Sequence, residues 1–395
     1  MPEIGDFGAI ILVISAGVML AVLATKLSER YPIPAPALFL VAAAAAPVVV
    51  PDIRTVERIG VVALIVILFD GGMTIGWRRF RRAAVPIASL GIVGTLATAA
   101  VLAGCAHYLF DFSWTTSWIL GAALSPTDPA VMFSILGDKE IRGRTGTILE
   151  GEAGVNDPVG IALMIGIIEF ATSDGGSYWG IVQEFALEMT IGLAVGLAGT
   201  AALIFLMRHV RLPSEGLYPL RTLAAAGIIY GLASVAHGSG FLAVFVAGLI
   251  VGDVPAPYQQ DIERFMTSLS SIAEIAVFVA LGLTIDLASF DASWWVNGTV
   301  LAILLALVIR PLVVAAVLAP ARLHLSERIF VMWGGLKGAV PIFLAAFAIL
   351  AGVQDADVIY GIVFVVVALS VLVQGSSIPL AARLAGVPMR AREDA

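Results

Sequence analysis

Long apolar stretches separated by short polar loops make up nearly the whole sequence. A helix that crosses a bilayer needs about 20 mainly apolar residues. Thirteen stretches qualify as spans, although the ninth is short, and they cover residues 7–25, 33–50, 56–74, 83–107, 114–136, 146–171, 178–207, 215–236, 239–253, 263–285, 294–319, 327–350 and 357–382. We therefore predict an all-α polytopic membrane protein with about thirteen transmembrane helices in a lipid bilayer.

The basic residues support this division into spans. When alternate loops are assigned to opposite sides, with the N-terminus outside, 17 Lys and Arg residues fall inside and only Arg54 and Arg58 fall outside. This excess follows the positive-inside rule, and a missed or additional span would disrupt it. We expect the C-terminus to be cytoplasmic and the membrane to be the inner (cell) membrane of a bacterium. Arg221, Arg310 and Lys337 fall within spans, where cations need partners.

The composition excludes several classes of protein. Hydrophobic residues make up 60% of the chain and charged residues 13%, against about 25% charged residues in a soluble domain. The net charge of −7 gives no reason to expect binding to nucleic acid, and one cysteine excludes an internal disulfide. We expect one transmembrane unit over residues 1–383, a retained first span because a basic signal region is missing, and a short cytoplasmic tail over 384–395.

Two predicted spans are interrupted by helix-breaking residues. The fifth contains Pro126-Thr127-Asp128-Pro129, and the twelfth contains Gly334-Gly335-Leu336-Lys337-Gly338-Ala339-Val340-Pro341. Each is the fifth span of its half if residues 7–171 and 215–382 form two inverted six-helix repeats joined by a linking helix at 178–207. Paired interruptions in inverted halves point to a transporter binding site. The alternative is a chance match, since Gly and Pro are common in membrane helices.

The first interruption supplies oxygen atoms at membrane depth. Pro126 and Pro129 lack an amide hydrogen, so nearby carbonyls lose their helical partners. With the Thr127 hydroxyl and the Asp128 carboxylate, these carbonyls form a set of hard oxygen ligands that suits Na⁺ or K⁺. The alternative is a structural kink in which Asp128 caps the second half-helix, a role that is compatible with ion binding.

Asp157, near the middle of the sixth span, is the strongest candidate for binding both the cation and the proton. Loss of water favours the protonated form of a carboxyl group, whereas a nearby cation favours the ionised form. Proton and metal ion therefore compete for one group, which is the chemistry that an antiporter requires. The neighbouring Asn156 is neutral and takes up no proton. The alternative is an Asp157 that is salt-bridged within the bundle.

Other charged residues within the spans are predicted to support this site. Glu152 shares a helix face with Asn156, and we expect it to form a structural ion pair with Arg310. Asp70, predicted at the cytoplasmic end of the third span, has two open roles, as part of an inner funnel that recruits cations or as a solvated cap. Lys337 is placed to neutralise helix C-terminal dipoles.

Two further acidic residues have weaker assignments. Glu150 lies nearer the cytoplasmic end of its span and ranks below Asp157 as a candidate. Glu274 and Arg221 form a possible second pair inside the membrane, although nothing in the sequence requires it.

Enzyme signatures such as HExxH, a P-loop or a dinucleotide fingerprint are missing, so we expect neither an enzyme nor a cofactor.

Taken together, these motifs resemble the monovalent cation/proton antiporters, in the branch that holds the Na⁺/H⁺ exchangers and bacterial NhaP-type proteins. The resemblance covers essentially the whole chain and rests, in order, on Thr127-Asp128-Pro129, Glu152-x-x-x-Asn156-Asp157, Arg310 and Gly335-Leu336-Lys337-Gly338-Ala339. It implies the NhaA/NhaP-like antiporter fold, with broken helices 5 and 12 crossing at the midplane, and a homodimer. It also implies a mobile core domain that moves against a dimerisation domain.

The resemblance assigns a role to each matching residue. Asp157 is implied to bind the ion and the proton, Thr127 and Asp128 to be co-ligands of Na⁺ or K⁺, and Asn156 to orient the site. Asn-Asp is the pattern of the electroneutral branch, which implies one proton per cation. Ala153 stands where Ser is usual and Lys337 where Arg is common, so the choice between Na⁺, K⁺ and Li⁺ stays open.

The sequence therefore predicts a cation/proton antiporter, with two alternatives from other classes. A cation channel would need a continuous pore, which broken helices in inverted halves do not favour. A cation-coupled symporter of organic solutes would use Arg310 as an anchor for an anionic substrate, but buried carboxylates at a compact site argue against it.

Overall fold

A computed structural model of the chain describes residues 34–44, 52–129, 131–132, 136, 139–141, 144–172, 178–321, 323–387 and 389–391, with positions 12, 15, 17–19, 21–24 and 26. Most of the predicted first span and the end of the second lie outside the described residues. The prediction of thirteen spans in two repeats therefore stays a prediction.

Helices form almost all of the regular structure in this part of the chain. In chain order they are α1 (Ala35–Ala44), α2 (Ile53–Ile75), α3 (Trp77–Arg82), α4 (Ala84–Phe110), α5 (Trp114–Leu124), α6 (Arg144–Thr172), α7 (Tyr178–His209), α8 (Leu217–Val235), α9 (Gly240–Val251), α10 (Gln259–Leu283), α11 (Ala292–Val317), α12 (Leu325–Trp333), α13 (Ala339–Leu350), α14 (Ala356–Gly375) and α15 (Ile378–Ala385). A short antiparallel ribbon pairs β1 (Lys139–Ile141) with β2 (Met389–Ala391).

The lengths of these helices confirm an all-helical polytopic fold. Seven of the described helices, α2, α4, α6, α7, α10, α11 and α14, are long and apolar enough to cross a membrane. The last predicted span, 357–382, is wrong in one respect, because the helix ends at Gly375 and a second helix begins at Ile378. Pro379 lies in the first turn of this second helix. Amide hydrogens there have no hydrogen-bond partner within the helix, so proline, which lacks one, is well tolerated.

The helices pack into two bundles. The broken-helix bundle contains α4, α5, α6 and α11 to α15, and the companion bundle contains α1, α2 and α7 to α10. Across the boundary, α6 packs on α2, α7 and α9, while α13 packs on α2 and α10. The residues predicted to bind the ion therefore lie on the broken-helix bundle, close to this boundary.

Glycines allow helices of the companion bundle to approach closely. Gly72 of α2 and Gly248 of α9 face one another, and a Cβ atom on either would overlap the backbone of the other helix. On α7, a Cβ atom on Gly196 would overlap the backbone of Ala243 in α9, and one on Gly192 would overlap the backbone of Ser239, just before α9. Small residues at membrane helix contacts give the backbones room to pack.

Both predicted interruptions are present. Helix α5 ends at Leu124 and the chain is non-helical from Ser125 to Pro129, whereas α12 ends at Trp333 and α13 begins at Ala339. Non-helical backbone at membrane depth is tolerated where it is buried in protein or lines a cavity. Thr127 and Lys337, one from each break, are 5% and 1% exposed, so these breaks are buried in protein.

Candidate functional site

The two breaks contact each other through hydrogen bonds. The backbone amide of Asp128 donates to the carbonyl oxygen of Leu336 at 2.8 Å. The Lys337 ammonium donates to the carbonyl oxygens of Ser125 at 2.9 Å and Pro126 at 2.7 Å. The last carbonyls of a helix carry a partial negative charge, so Lys337 stabilises the free end of α5.

Helix α14 holds the second break in place. The backbone amide of Lys337 donates to the Ser370 hydroxyl at 2.9 Å, and this hydroxyl donates to the Gln374 side-chain oxygen at 3.1 Å. The Gln374 amide in turn donates to the carbonyl of Trp333 at 2.7 Å. Sequence reasoning missed Ser370 and Gln374, although two polar residues four apart in an apolar span would share one helix face.

Asn156 is bonded to the first break. Its side-chain amide donates to the Thr127 hydroxyl oxygen at 2.7 Å, and Thr127 and Asn156 are 5% and 1% exposed. A hydroxyl oxygen has two lone pairs, so one remains for another donor or a cation. Neither residue is among the described residues that line the adjacent cavity.

Asp157 is buried without a full set of hydrogen bonds. Its side chain is 7% exposed, and its Oδ1 atom, like Oδ1 of Asn156, has no hydrogen-bond partner. Buried polar atoms without a partner are uncommon and destabilising. Asp157 therefore has an oxygen available for a proton or a cation.

A cavity of about 300 Å³ connects Asp157 with the surface. Five carboxyl groups line it, contributed by Asp70, Asp128, Glu150, Asp157 and Glu274. At its exposed end, Arg79 lies 3.6 Å from Glu150, and the Arg79 side chain is 45% exposed. The structure therefore provides an acidic route from the surface to the two aspartates at the broken helix.

The predicted placement of Asp70 at a helix end is wrong. Helix α2 continues through Gly71 and Gly72 to Ile75, because Gly72 packs against α9 instead of ending the helix. The Asp70 carboxylate lines the cavity and accepts a hydrogen bond from the Thr267 hydroxyl at 3.0 Å. Because Asp70 lies within the helix and not at its end, its position does not fit a helix cap, which was one of its two predicted roles.

Arg310 and Glu152 form a buried bidentate ion pair. The Arg310 Nη2 atom donates to Glu152 Oε2 at 2.8 Å, and Nη1 contacts Oε1. Both residues are at most 4% exposed, and Arg310 also donates to the carbonyl of Val331 at 3.3 Å. A Cβ atom on Gly335 would overlap the guanidinium. Neither partner is among the described residues that line the cavity, so the pair joins α6 to α11 outside the ion route.

The possible pair of Glu274 and Arg221 is not formed. Arg221 donates to the carbonyls of Leu206 and Val210 at 3.4 and 3.3 Å, and its guanidinium lies 5.1 Å from the centre of the Tyr218 ring. Glu274 instead lines the cavity, on a helix face directed towards the broken-helix bundle. Loop charge and span position do not reveal which face of a helix a residue occupies.

The described residues contain no group of three His, Cys, Asp or Glu side chains arranged to hold a metal ion. A transported ion needs a site that it can also leave, and the cavity offers the carboxylates of Asp128 and Asp157.

Comparison with known proteins identifies the family. The protein-family model for the transmembrane region of sodium/hydrogen exchangers matches residues 11–384 of this chain. This chain belongs to the sodium/hydrogen exchanger family. The K(+)/H(+) antiporter NhaP of Alkalimonas amylolytica is 34% identical over 381 residues, which cover 94% of this chain and 66% of that protein. The K(+)/H(+) antiporter NhaP2 of Shewanella oneidensis is 32% identical, covering 93% and 66%.

Other family members share the same region. The Na(+)/H(+) antiporter NhaH of Halobacillus dabanensis is 28% identical over 75% of this chain and 76% of its own length. The chain spans 66% of the length of the two K(+)/H(+) antiporters. The solved structure of the sodium proton antiporter MjNhaP1 from Methanocaldococcus jannaschii superposes with a TM-score of 0.81 at 23% identity, covering 93% of this chain and 98% of that one. The predicted NhaP-like antiporter fold is thus confirmed.

Proposed function

We propose that this chain exchanges a monovalent cation, Na⁺ or K⁺, for H⁺ across a membrane by alternating access. The observation that carries the proposal is the buried Asp157 carboxylate, which has an unpartnered oxygen and lines an acidic cavity together with Asp128. The relatives named above, K(+)/H(+) and Na(+)/H(+) antiporters, support the same reaction.

In this mechanism Asp157 binds either the proton or the cation. Asp128 and the carbonyls of the broken helix supply further oxygens, and Thr127 joins the site when its lone pair turns towards the ion. Asn156 positions Thr127 through their hydrogen bond and carries no proton. One carboxylate therefore exchanges one proton for one cation, and the exchange is electroneutral.

The proposal also includes the movement of the two bundles, a homodimer and the orientation in the membrane. The broken-helix bundle moves against the companion bundle, which forms a homodimer with a second copy. Helix α7 leaves an apolar face free for such a contact, because only 22% of its most apolar segment is buried within the protein. The distribution of Lys and Arg supports a cytoplasmic C-terminus. The proposal further places the protein in a bacterial cell membrane, where the exchange serves pH homeostasis.

Transport in proteoliposomes tests the proposal. After a pH gradient is imposed, adding K⁺, Na⁺ or Li⁺ should dissipate it, whereas choline should not. K⁺ is the first ion to test, because two relatives that match more than 90% of this chain are K(+)/H(+) antiporters. A membrane potential imposed with a thiocyanate gradient should leave the rate unchanged. Steady single-channel currents would instead identify a channel.

Substitution of Asp157 by Asn should abolish the exchange, since the amide binds neither a proton nor a cation at this site. Asp111→Asn is the matched control. Asp111 is exposed and has the left-handed backbone conformation at φ 55°, which Asn also tolerates. Full exchange by Asp157→Asn would contradict the site assignment.

A further inference from the structure

Glu274 is the one carboxylate that the middle of α10 directs into the cavity. Ser270, Glu274, Val277 and Phe278 line it, and their spacing of four, three and one residues places them on one helix face. Helix α10 belongs to the companion bundle, whereas Asp128 and Asp157 belong to the broken-helix bundle. The cavity therefore receives acidic groups from both sides of the bundle boundary.

No structural partner accounts for Glu274. Its Oε1 atom is buried without a hydrogen-bond partner, and in the described part of the chain no Lys or Arg forms an ion pair with it. A carboxylate taken out of water needs a compensating positive charge, and a cation in the cavity would supply one. Asp157, 7% exposed, faces the same cavity with an unpartnered oxygen of its own. Both carboxyl groups thus line the same cavity, each with one oxygen that lacks a partner.

We propose that Glu274 raises cation affinity on one side of the membrane only. This inference rests on the proposed function, in which the two bundles move relative to one another. In the arrangement described, Glu274 shares the cavity with Asp128 and Asp157, and its negative charge attracts the cation to them. Once the broken-helix bundle has moved, Asp128 and Asp157 leave with it and Glu274 stays behind.

The charge of Glu274 therefore affects the cation that enters from the cavity side and not the cation bound on the opposite side. Because it is not one of the two aspartates that move with the ion, its loss should leave the turnover at saturating cation unchanged. The affinity difference between the two sides would then come from a residue outside the moving bundle.

Transport measured from each side tests this inference. We compare three proteins, which are wild type, Glu274→Gln and Glu263→Gln, in membrane vesicles of the two opposite orientations. Each protein also carries Cys105→Ala and an Arg82→Cys reporter, and the accessibility of the reporter thiol sorts the vesicles by orientation. Glu263 is the matched control, because it is an exposed carboxylate on the same helix. K⁺ and Na⁺ are added outside and the dissipation of the pH gradient is recorded.

For Glu274→Gln we expect the KM for the cation to rise about five- to tenfold from the cavity side. From the opposite side the KM should equal that of wild type, as should the kcat in both orientations. Glu263→Gln should match wild type throughout. An unchanged KM from the cavity side, or an equal rise from both sides, would overturn the inference while leaving the antiport proposal intact. A wild-type protein without exchange in either orientation would overturn both.

Gel filtration shows whether Glu274→Gln folds. If it does not, a second variant, Glu274→Asp, tests the same inference. Glu274→Asp keeps the charge but withdraws it by one methylene group. We expect a smaller rise in KM, about two- to threefold, confined to the cavity side. The same KM as wild type on that side would count against the inference.

Discussion

The backbone amide of Asp128 donates a hydrogen bond to the carbonyl oxygen of Leu336 at 2.8 Å, so the breaks of two helices that are distant in the chain are joined directly. Lys337 is the next residue after Leu336, and its ammonium donates hydrogen bonds to two carbonyls just beyond the end of α5. The crossing is therefore held by the backbone and by one buried cation, which leaves the carboxylates of Asp128 and Asp157 on the cavity wall.

Gly338→Ala is expected to disrupt the site without unfolding the protein. A Cβ atom at this position would overlap the Asp128 carboxylate, which would have to leave the cavity wall. We expect exchange to fall at least tenfold while gel filtration stays normal. Gly231→Ala is the control, because a Cβ atom there meets no other group, and it should exchange like wild type. Wild-type exchange by Gly338→Ala would show that the position of Asp128 is not required.

Replacing Lys337 by Met is expected to destabilise the crossing. The carbonyls of Ser125 and Pro126 would lose their donor, at about 1–3 kcal/mol for each buried acceptor left without a partner. Unfolding in mixed detergent micelles measures the loss. Lys337→Arg keeps the charge and donors and should lose less. Lys26→Met, at an exposed position, should leave the free energy of unfolding unchanged; an equal loss in both Met variants would refute the proposed role.

The ion pair of Arg310 and Glu152 is expected to show strong coupling in a double-mutant cycle. Either single change, Arg310→Met or Glu152→Gln, leaves a buried charge without its partner and should lower the free energy of unfolding by about 3–5 kcal/mol. The double variant should lose less than the sum of the two.

The pair of Arg79 and Glu150 is the natural comparison for that cycle. It is longer, at 3.6 Å, and its side chains are 45% and 19% exposed. Partly exposed pairs contribute about 0–1 kcal/mol, so Arg79→Met and Glu150→Gln should each have a small effect. Additive losses at Arg310 and Glu152 would show that their contact does not stabilise the protein.

Tyr360→Phe is expected to weaken a contact between the two bundles. The hydroxyl groups of Tyr360, on α14, and Thr284, which follows α10, are hydrogen-bonded at 2.5 Å. Removing the hydroxyl keeps the buried ring in place and should reduce stability by about 0.5–1.5 kcal/mol. Thermal unfolding is compared with that of Tyr108→Phe, a change at a residue that is 75% exposed. No difference between the two variants would exclude a stabilising role for this bond.

The sequence predicts the helical segments and the two breaks because these depend on local properties. Apolar length identifies a span, and the missing amide hydrogens of Pro126 and Pro129 interrupt a helix wherever they occur. Asp128, Asp157 and Lys337 stand out in the sequence because ionisable groups are expensive at membrane depth. The prediction that Asp70 lies at the end of its helix fails, because Gly72 serves close helix packing and α2 continues to Ile75.

The sequence by itself thus determined that this is a membrane protein of many helices, that two of its spans are broken, and that carboxylates of the fifth and sixth spans are the candidate ion site. Only the tertiary structure decided which groups meet. It places the Lys337 ammonium on the carbonyls of Ser125 and Pro126, which follow α5. It bonds Ser370 and Gln374 to the second break, and it places Glu274 in the cavity instead of beside Arg221. The reason is physical: a residue's partner depends on which helix faces pack together, and that is settled by contacts between segments far apart in the chain.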